Sequence, residues 1–271
     1  MSDWRISLRA ALLALACTLA AIVALPAFPV GSPRVAPWVA DATVTDVLVA
    51  DAKTLGYPAV GATISSWAAT KGSNPPNVLA NDKFAANFDP SGRTSVQLNG
   101  TPSSYVAIDS LASGLNGTAK AFTFIISAQI PAAPTGSPIW YLWFVGSSTS
   151  NNPAIGIAGS TGNTTFALSR RNDTGPGSQF NSSAVSPGTS RFVFIAVYNG
   201  SQLTTRFNGA AVDTAISFGG GAMTGLNSFS LGVSRGLTGG GYSNPNIRTF
   251  VYAQSALSSG TYLAIEKYLL N

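Results

Sequence analysis

The chain has 271 residues, of which 45% are hydrophobic and 9% charged, with 15 basic and 10 acidic side chains and a net charge of +5. Its length suits one all-β domain with a sizeable core, and its apolar content excludes a solvated, disordered chain. No Lys/Arg cluster exceeds Arg170-Arg171, so the basic stripe expected of a nucleic-acid binder is missing and no nucleic-acid partner is expected.

Arg5 and Arg9 precede an uncharged stretch from Ala10 to Pro33, most apolar over Ala10–Leu25. Basic start, apolar middle and small residues near Ala27 are the order of an export signal. The run is short for a membrane span, which takes roughly 20 apolar residues, and Pro26 and Pro29 end a helix near Leu25. Residues 1–30 therefore read as a signal, as an anchor touching membrane only through residues 10–28, or as an arm buried in an assembly. Cys17, the single cysteine, lies in this run, so an intrachain disulfide and a thiolate metal cluster are excluded. Residues 31–37, with Pro33 and Pro37, read as a linker.

From residue 38 to 271, short apolar runs alternate with Gly, Pro, Asn and Ser clusters, the pattern of a sandwich or barrel. Strands are expected at Ser95–Asn99, Tyr105–Asp109, Phe122–Ala128, Ile139–Val145, Ala154–Ala158 and Thr164–Arg170. Phe192–Tyr198 is apolar on both faces and should be a central strand covered on both sides. Asn199-Gly200 joins it to Gln202–Phe207, and Asn208-Gly209 joins that to Ala210–Ala215. Asn-Gly tolerates the positive φ that tight hairpin turns need. Ser228–Ser234 and Ile247–Ala253 complete the strands. One helix closes the chain, capped by Ser258 or Ser259, with Tyr262, Ile265 and Leu269 on one stripe. It is expected against the sandwich edge or end.

Three stretches carry a resemblance: LASGLNGTAKAFTFIISAQI (Leu111–Ile130), FVFIAVYNGSQLTTRFNGAAV (Phe192–Val212) and FVYAQSALSSGTYLAIEKYL (Phe250–Leu269). Over roughly Trp38 to Asn271 the chain resembles the laminin-G-like, concanavalin-A-like jelly-roll domains of phage structural and bacterial surface proteins. It departs from their closing signature at Gly260 and Thr261, where relatives place acidic residues. The resemblance implies two antiparallel sheets and, in some relatives, a concave face that binds sugars. Other relatives are purely structural.

The absences narrow the chemistry. There is no histidine and one glutamate, Glu266. A nucleophilic triad lacks its base, and the carboxylate pair of a glycoside hydrolase has no matching motif. No expected strand holds two aspartates at i, i+2, and no catalytic residue is assigned. Zinc lacks ligands. Calcium, which some relatives hold at a loop, would draw on Asn87-Phe88-Asp89 or Asn172-Asp173; the same residues also make turns through side-chain bonds to backbone. No cofactor is expected. Gly219-Gly220-Gly221 and Gly239-Gly240-Gly241 do not follow a strand and open a helix with a lysine as phosphate loops do, and read as flexible connections.

The candidate surface is Ile139–Val145, IWYLWFV. Strict alternation sends Trp140, Leu142 and Phe144 one way and Tyr141 and Trp143 the other. One set is core; the other covers an interface, stacks on sugar rings or lies under a second layer. Arg170, Arg171, Asn172 and Asp173 follow as a loop that either bonds hydroxyls or acids, or is solvated. The expectation is a non-catalytic assembly protein on a virion surface, with other copies or other virion proteins as partners. The alternative is an exported, lectin-like module that binds cell-surface glycan.

Overall fold

Phe122–Gln129 is a strand buried along its whole length except for its last residue. In the computed structural model it pairs antiparallel on both edges, with Arg191–Tyr198 and with Asn246–Ala253. A strand in that place is shielded from water at both edges, and its two faces each meet a separate apolar layer. That is why it is mostly apolar on both faces, and why its two polar side chains within the run, Thr123 and Ser127, are buried as well.

The structure describes residues 35–271 except 52–53, 65, 73–76, 79–82, 86–87, 89–91, 136–137, 148–152, 174–178 and 236–240. The hydrophobic segment 1–30 and residues 31–34 of the linker lie outside the described residues, as do Asn87 and Asp89. Residues Ala36–Asn271 form one compact unit.

In chain order the strands are β1 (Asp46–Val49), β2 (Asn77–Val78), β3 (Lys83–Ala85), β4 (Ser95–Gln97), β5 (Val106–Ala107) and β6 (Gly117–Thr118). Then come β7 (Phe122–Gln129), β8 (Ile139–Gly146), β9 (Ala154–Ser160), β10 (Phe166–Arg171) and β11 (Gln179–Asn181). The last are β12 (Arg191–Tyr198), β13 (Gln202–Phe207), β14 (Ala210–Ser217), β15 (Ala222–Met223), β16 (Ser228–Leu231) and β17 (Asn246–Ala253). A 3-10 helix spans Asp109–Leu115, and helix α1 spans Ser259–Leu270.

An eight-stranded sheet runs β14-β13-β12-β7-β17-β4-β3, with β1 also on β17; a seven-stranded sheet runs β11-β10-β9-β8-β16-β5-β2. Pairing within both is antiparallel. The expected two-sheet sandwich with one C-terminal helix is therefore the fold. Strand β5 is shorter than expected, because Asp109 already opens the 3-10 helix. Strands β1, β2, β3, β6, β11 and β15 are additions; most are too short for alternation to reveal.

The inner faces meet in an aromatic core. Phe122, Phe124, Phe192, Phe194 and Phe250 from the first sheet face Trp140, Trp143, Phe166 and Phe229 from the second. Each such side chain contributes roughly 1.5–3 kcal/mol by leaving water. The first sheet is also covered outside: Ile125, Val193, Ile195, Val197 and Val251 pack under Trp38, Val44, Leu257, Ile265 and Leu269. Helix α1 thus lies over a sheet face, not at the edge or end. Its N-cap is Ser258, whose Oγ accepts from the Thr261 N–H at 3.2 Å. Its anchor is Glu266, which accepts from Arg206 Nε at 2.8 Å and from the Gly209 N–H at 3.0 Å.

The two Asn-Gly signals make different turns. Asn208 and Gly209 both take positive φ, +48° and +86°, as a two-residue type I′ turn requires. At the other hairpin only Gly200 does, at +106°. There Asn199 closes the turn by accepting from the Ser201 and Gln202 N–H groups.

Candidate binding face

The outer face of the seven-stranded sheet is built by an irregularity in β8. Tyr141 pairs with Ala158, yet Trp143 pairs with Ile157, so Leu142 is an extra residue in a β-bulge. A bulge reverses which side chains point inward from that position onward. Trp140, Leu142, Trp143 and Val145 all enter the core, while Tyr141 and Phe144 share the opposite face, their rings 5.2 Å apart and nearly perpendicular. Strict alternation placed Trp143 with Tyr141 and Phe144 with Trp140; the bulge exchanges them. Trp140 and Trp143 are both fully buried and unavailable to a ligand.

Register then sets rows across the outer face. Tyr141 lies opposite Ala158 and Ala167; Phe144 lies opposite Gly156, Ser169 and Asn181; Gly146 lies opposite Ala154 and Arg171. Strand β9 contributes Ala154, Gly156 and Ala158 to this face, so it forms a floor of backbone and methyl groups. The wall on one side is Ile139 and Tyr141, with Phe144 buried against Tyr141; on the other it is Ser169, Arg171 and Asn181. Two adjoining depressions of about 120 and 170 Å³ occupy this trough, and Ile139, Tyr141, Ser169 and Arg171 line both.

Gly156 is required here. A Cβ would fall 2.6 Å from the Trp143 carbonyl oxygen and 3.2 Å from Cδ1 of Tyr141. Glycine beside a bulge, under an aromatic ring, is the expected device for close approach. Burial raises the Tyr141 phenol above its ordinary value, against a smaller lowering by Arg171. The hydroxyl therefore stays protonated at neutral pH and can donate as well as accept.

The basic dipeptide divides between the faces. Arg170 and Arg171 belong to strand β10, not to a loop. Arg170 points inward and is fully buried, its guanidinium 5.7 Å above the Tyr198 ring and donating to the Gly221 carbonyl. Desolvation lowers its pKa, and Tyr198 and Asp173 oppose that shift. Asn172 is also buried. Asp173 is exposed and accepts from the Thr224 N–H at 3.0 Å and Thr224 Oγ1 at 2.9 Å. Of the four, Arg171 alone lines the trough. Loop 219–221 is not a loose spacer. A Cβ on Gly219 would meet the Phe180 ring, and one on Gly221 would meet the Asn172 side chain.

The carboxylates serve the scaffold. Glu266 holds the helix, and Asp213 accepts from Ser183 Oγ and Thr205 Oγ1, each at 2.6 Å. Among the described residues no group of three or more His, Cys, Asp or Glu could hold a metal ion. Sequence reasoning missed Phe144, Ser169, Asn181 and the small floor of β9. The motif A-I-G-I-A carried a signal, since every second residue is small.

Compared with protein-family models and with curated proteins, the chain has no match. Among solved structures, a Trypanosoma rangeli sialidase in complex with difluorosialic acid aligns over 85% of this chain and 33% of its own, at 14% identity and TM-score 0.55. The binding domain of botulinum neurotoxin DC, in complex with rat synaptotagmin II, aligns over 84% of this chain and 52% of that one, at 14% identity and TM-score 0.55. The CBM40 of a Ruminococcus gnavus sialidase, bound to α2,3-sialyllactose, aligns over 72% of this chain and 99% of its own, at 15% identity and TM-score 0.46. The chain spans about a third of the first structure and half of the second. The first two likenesses carry fold alone, and the fold is an antiparallel β-sandwich.

Proposed function

We propose that this chain is a non-catalytic binding module that holds a glycan in the trough over β9. The observation that carries the reading is the half-buried Tyr141 ring, braced edge-on by the buried Phe144, set against a hydrogen-bonding wall of Ser169, Arg171 and Asn181 across a floor without large side chains. A pyranose has an apolar face and a rim of hydroxyls. A half-buried aromatic offers area for the first, and hydroxyl, amide and guanidinium groups fit the second. Fold does not fix function, but binding is a use this fold has: the toxin neighbour is a binding domain. In the laminin-G-like domains that the sequence resembles, a concave face binds sugars in some members.

This reading takes the exported, cell-surface alternative over the virion one. A virion role has no support in the trough or in the structural neighbours. Of the side chains expected on an outer apolar face, Trp143 is core and cannot serve a subunit interface. The test is a glycan array probed with residues 36–271. Tyr141→Ala should abolish the signal while the thermal midpoint stays within a few degrees. Binding that survives Tyr141→Ala unchanged would overturn the reading.

A further inference from the structure

We propose that the trough selects anionic glycans, with Arg171 as the residue that sets this preference; the inference rests on the glycan-binding reading above. Between Ala121 and Ser190 the chain carries three charged residues, Arg170, Arg171 and Asp173. All the strands that build the trough fall in this interval. Arg170 turns inward and is fully buried. The Asp173 carboxylate is bound by the Thr224 N–H and hydroxyl, on the side of β15. Arg171 is thus the sole charged side chain among the residues that line the two depressions, and it lines both. It is close enough to Tyr141 to lower the pKa of that phenol.

A sugar seated against Tyr141 therefore lies beside one guanidinium and no lining carboxylate. An anion there gains a charge-assisted, planar two-point contact, and nothing in the lining repels it. A neutral sugar gains only ordinary hydrogen bonds. Carboxylate and sulfate share the chemistry that the guanidinium recognises.

The experiment compares lactose, sialyllactose and sulfated lactose as titrants of the full chain at moderate salt. The two acidic probes separate carboxylate from sulfate as the source. At least one of them should bind about tenfold or more tighter than lactose, and the margin should shrink as salt rises. Arg171→Gln should remove the margin, weakening the acidic probe far more than lactose. Arg171→Lys should restore part of it. Lys120→Gln, which removes the same charge from an exposed site elsewhere, should leave the margin intact. Equal binding of lactose and both acidic probes would overturn the preference and leave the glycan reading standing. So would a margin that Lys120→Gln lowers as much as Arg171→Gln does. No binding by any probe, together with a blank array, would overturn the glycan reading and the preference with it.

Discussion

The indole of Trp143 stacks on the ring of Phe124, with centroids 4.4 Å apart and planes 21° from parallel. The pair joins the two sheets at the centre of the sandwich, where Phe229 and Phe122 also touch the indole. Trp143→Ala should therefore cost about 3–5 kcal/mol, the range for deleting a buried large aromatic. The indole Nε1 is buried without a hydrogen-bond partner, so Trp143→Phe should cost far less. Denaturant unfolding checks both; a cost below about 1 kcal/mol for the alanine variant would return Trp143 to the surface.

Glu266 bonds Arg206 Nε and the Gly209 N–H, so one carboxylate ties helix α1 to the tip of the β13–β14 hairpin. Both partners are largely shielded, with side-chain exposures of 17% for Arg206 and 4% for Glu266. Removing one partner of such a pair strands the other. Glu266→Ala should destabilise by about 3 kcal/mol or more. The double variant with Arg206→Ala should cost less than the sum of the two single changes. Additive costs in that cycle would show that the pair does not act as a unit.

Tyr252 is a buried phenol whose hydroxyl has no hydrogen-bond partner. Burial raises its pKa above the usual range, and the nearby Asp46 adds to the rise. An acid with a raised folded pKa favours folding fully below its unfolded pKa, about 10 for tyrosine. That contribution is lost as pH rises above 10, because the unfolded phenol ionises first. Tyr252→Phe should be neutral or stabilising at pH 7 and should flatten the alkaline loss of stability. Thermal midpoints between pH 8 and 11 test this; an alkaline limb as steep in the variant as in the wild type would contradict it.

Ala158 lies on the trough floor between Tyr141 and Ala167. Ala158→Leu should fill the second depression from below, lower glycan binding by about tenfold or more, and change stability by less than about 1 kcal/mol, because the site is not core. Retained binding by a stable Ala158→Leu protein would move the site elsewhere on the surface.

How much of this could be read before the fold depended on local regularity. Two-residue alternation located β7 and β13, and the Asn-Gly dipeptide located the turn at Asn208-Gly209, because each of these is specified by neighbours in sequence. An uninterrupted apolar run marked β12 as central, and the i, i+3, i+7 stripe marked α1. The all-β class, the sandwich and the unsuitability of Glu266 for a carboxylate pair all follow from such local facts. Long-range contacts decided the rest. A single extra residue at Leu142 exchanged Trp143 for Phe144, and no sequence pattern announces a bulge whose partner strand lies elsewhere in the chain. Adjacent arginines went to opposite faces once β10 extended through Arg171. Helix α1 settled on a sheet face because Glu266 found Arg206 and Gly209, some sixty residues away in the chain. The trough exists only in register: its floor is one strand, its walls are two others, and hydrogen bonding between strands, not spacing along the chain, places them side by side.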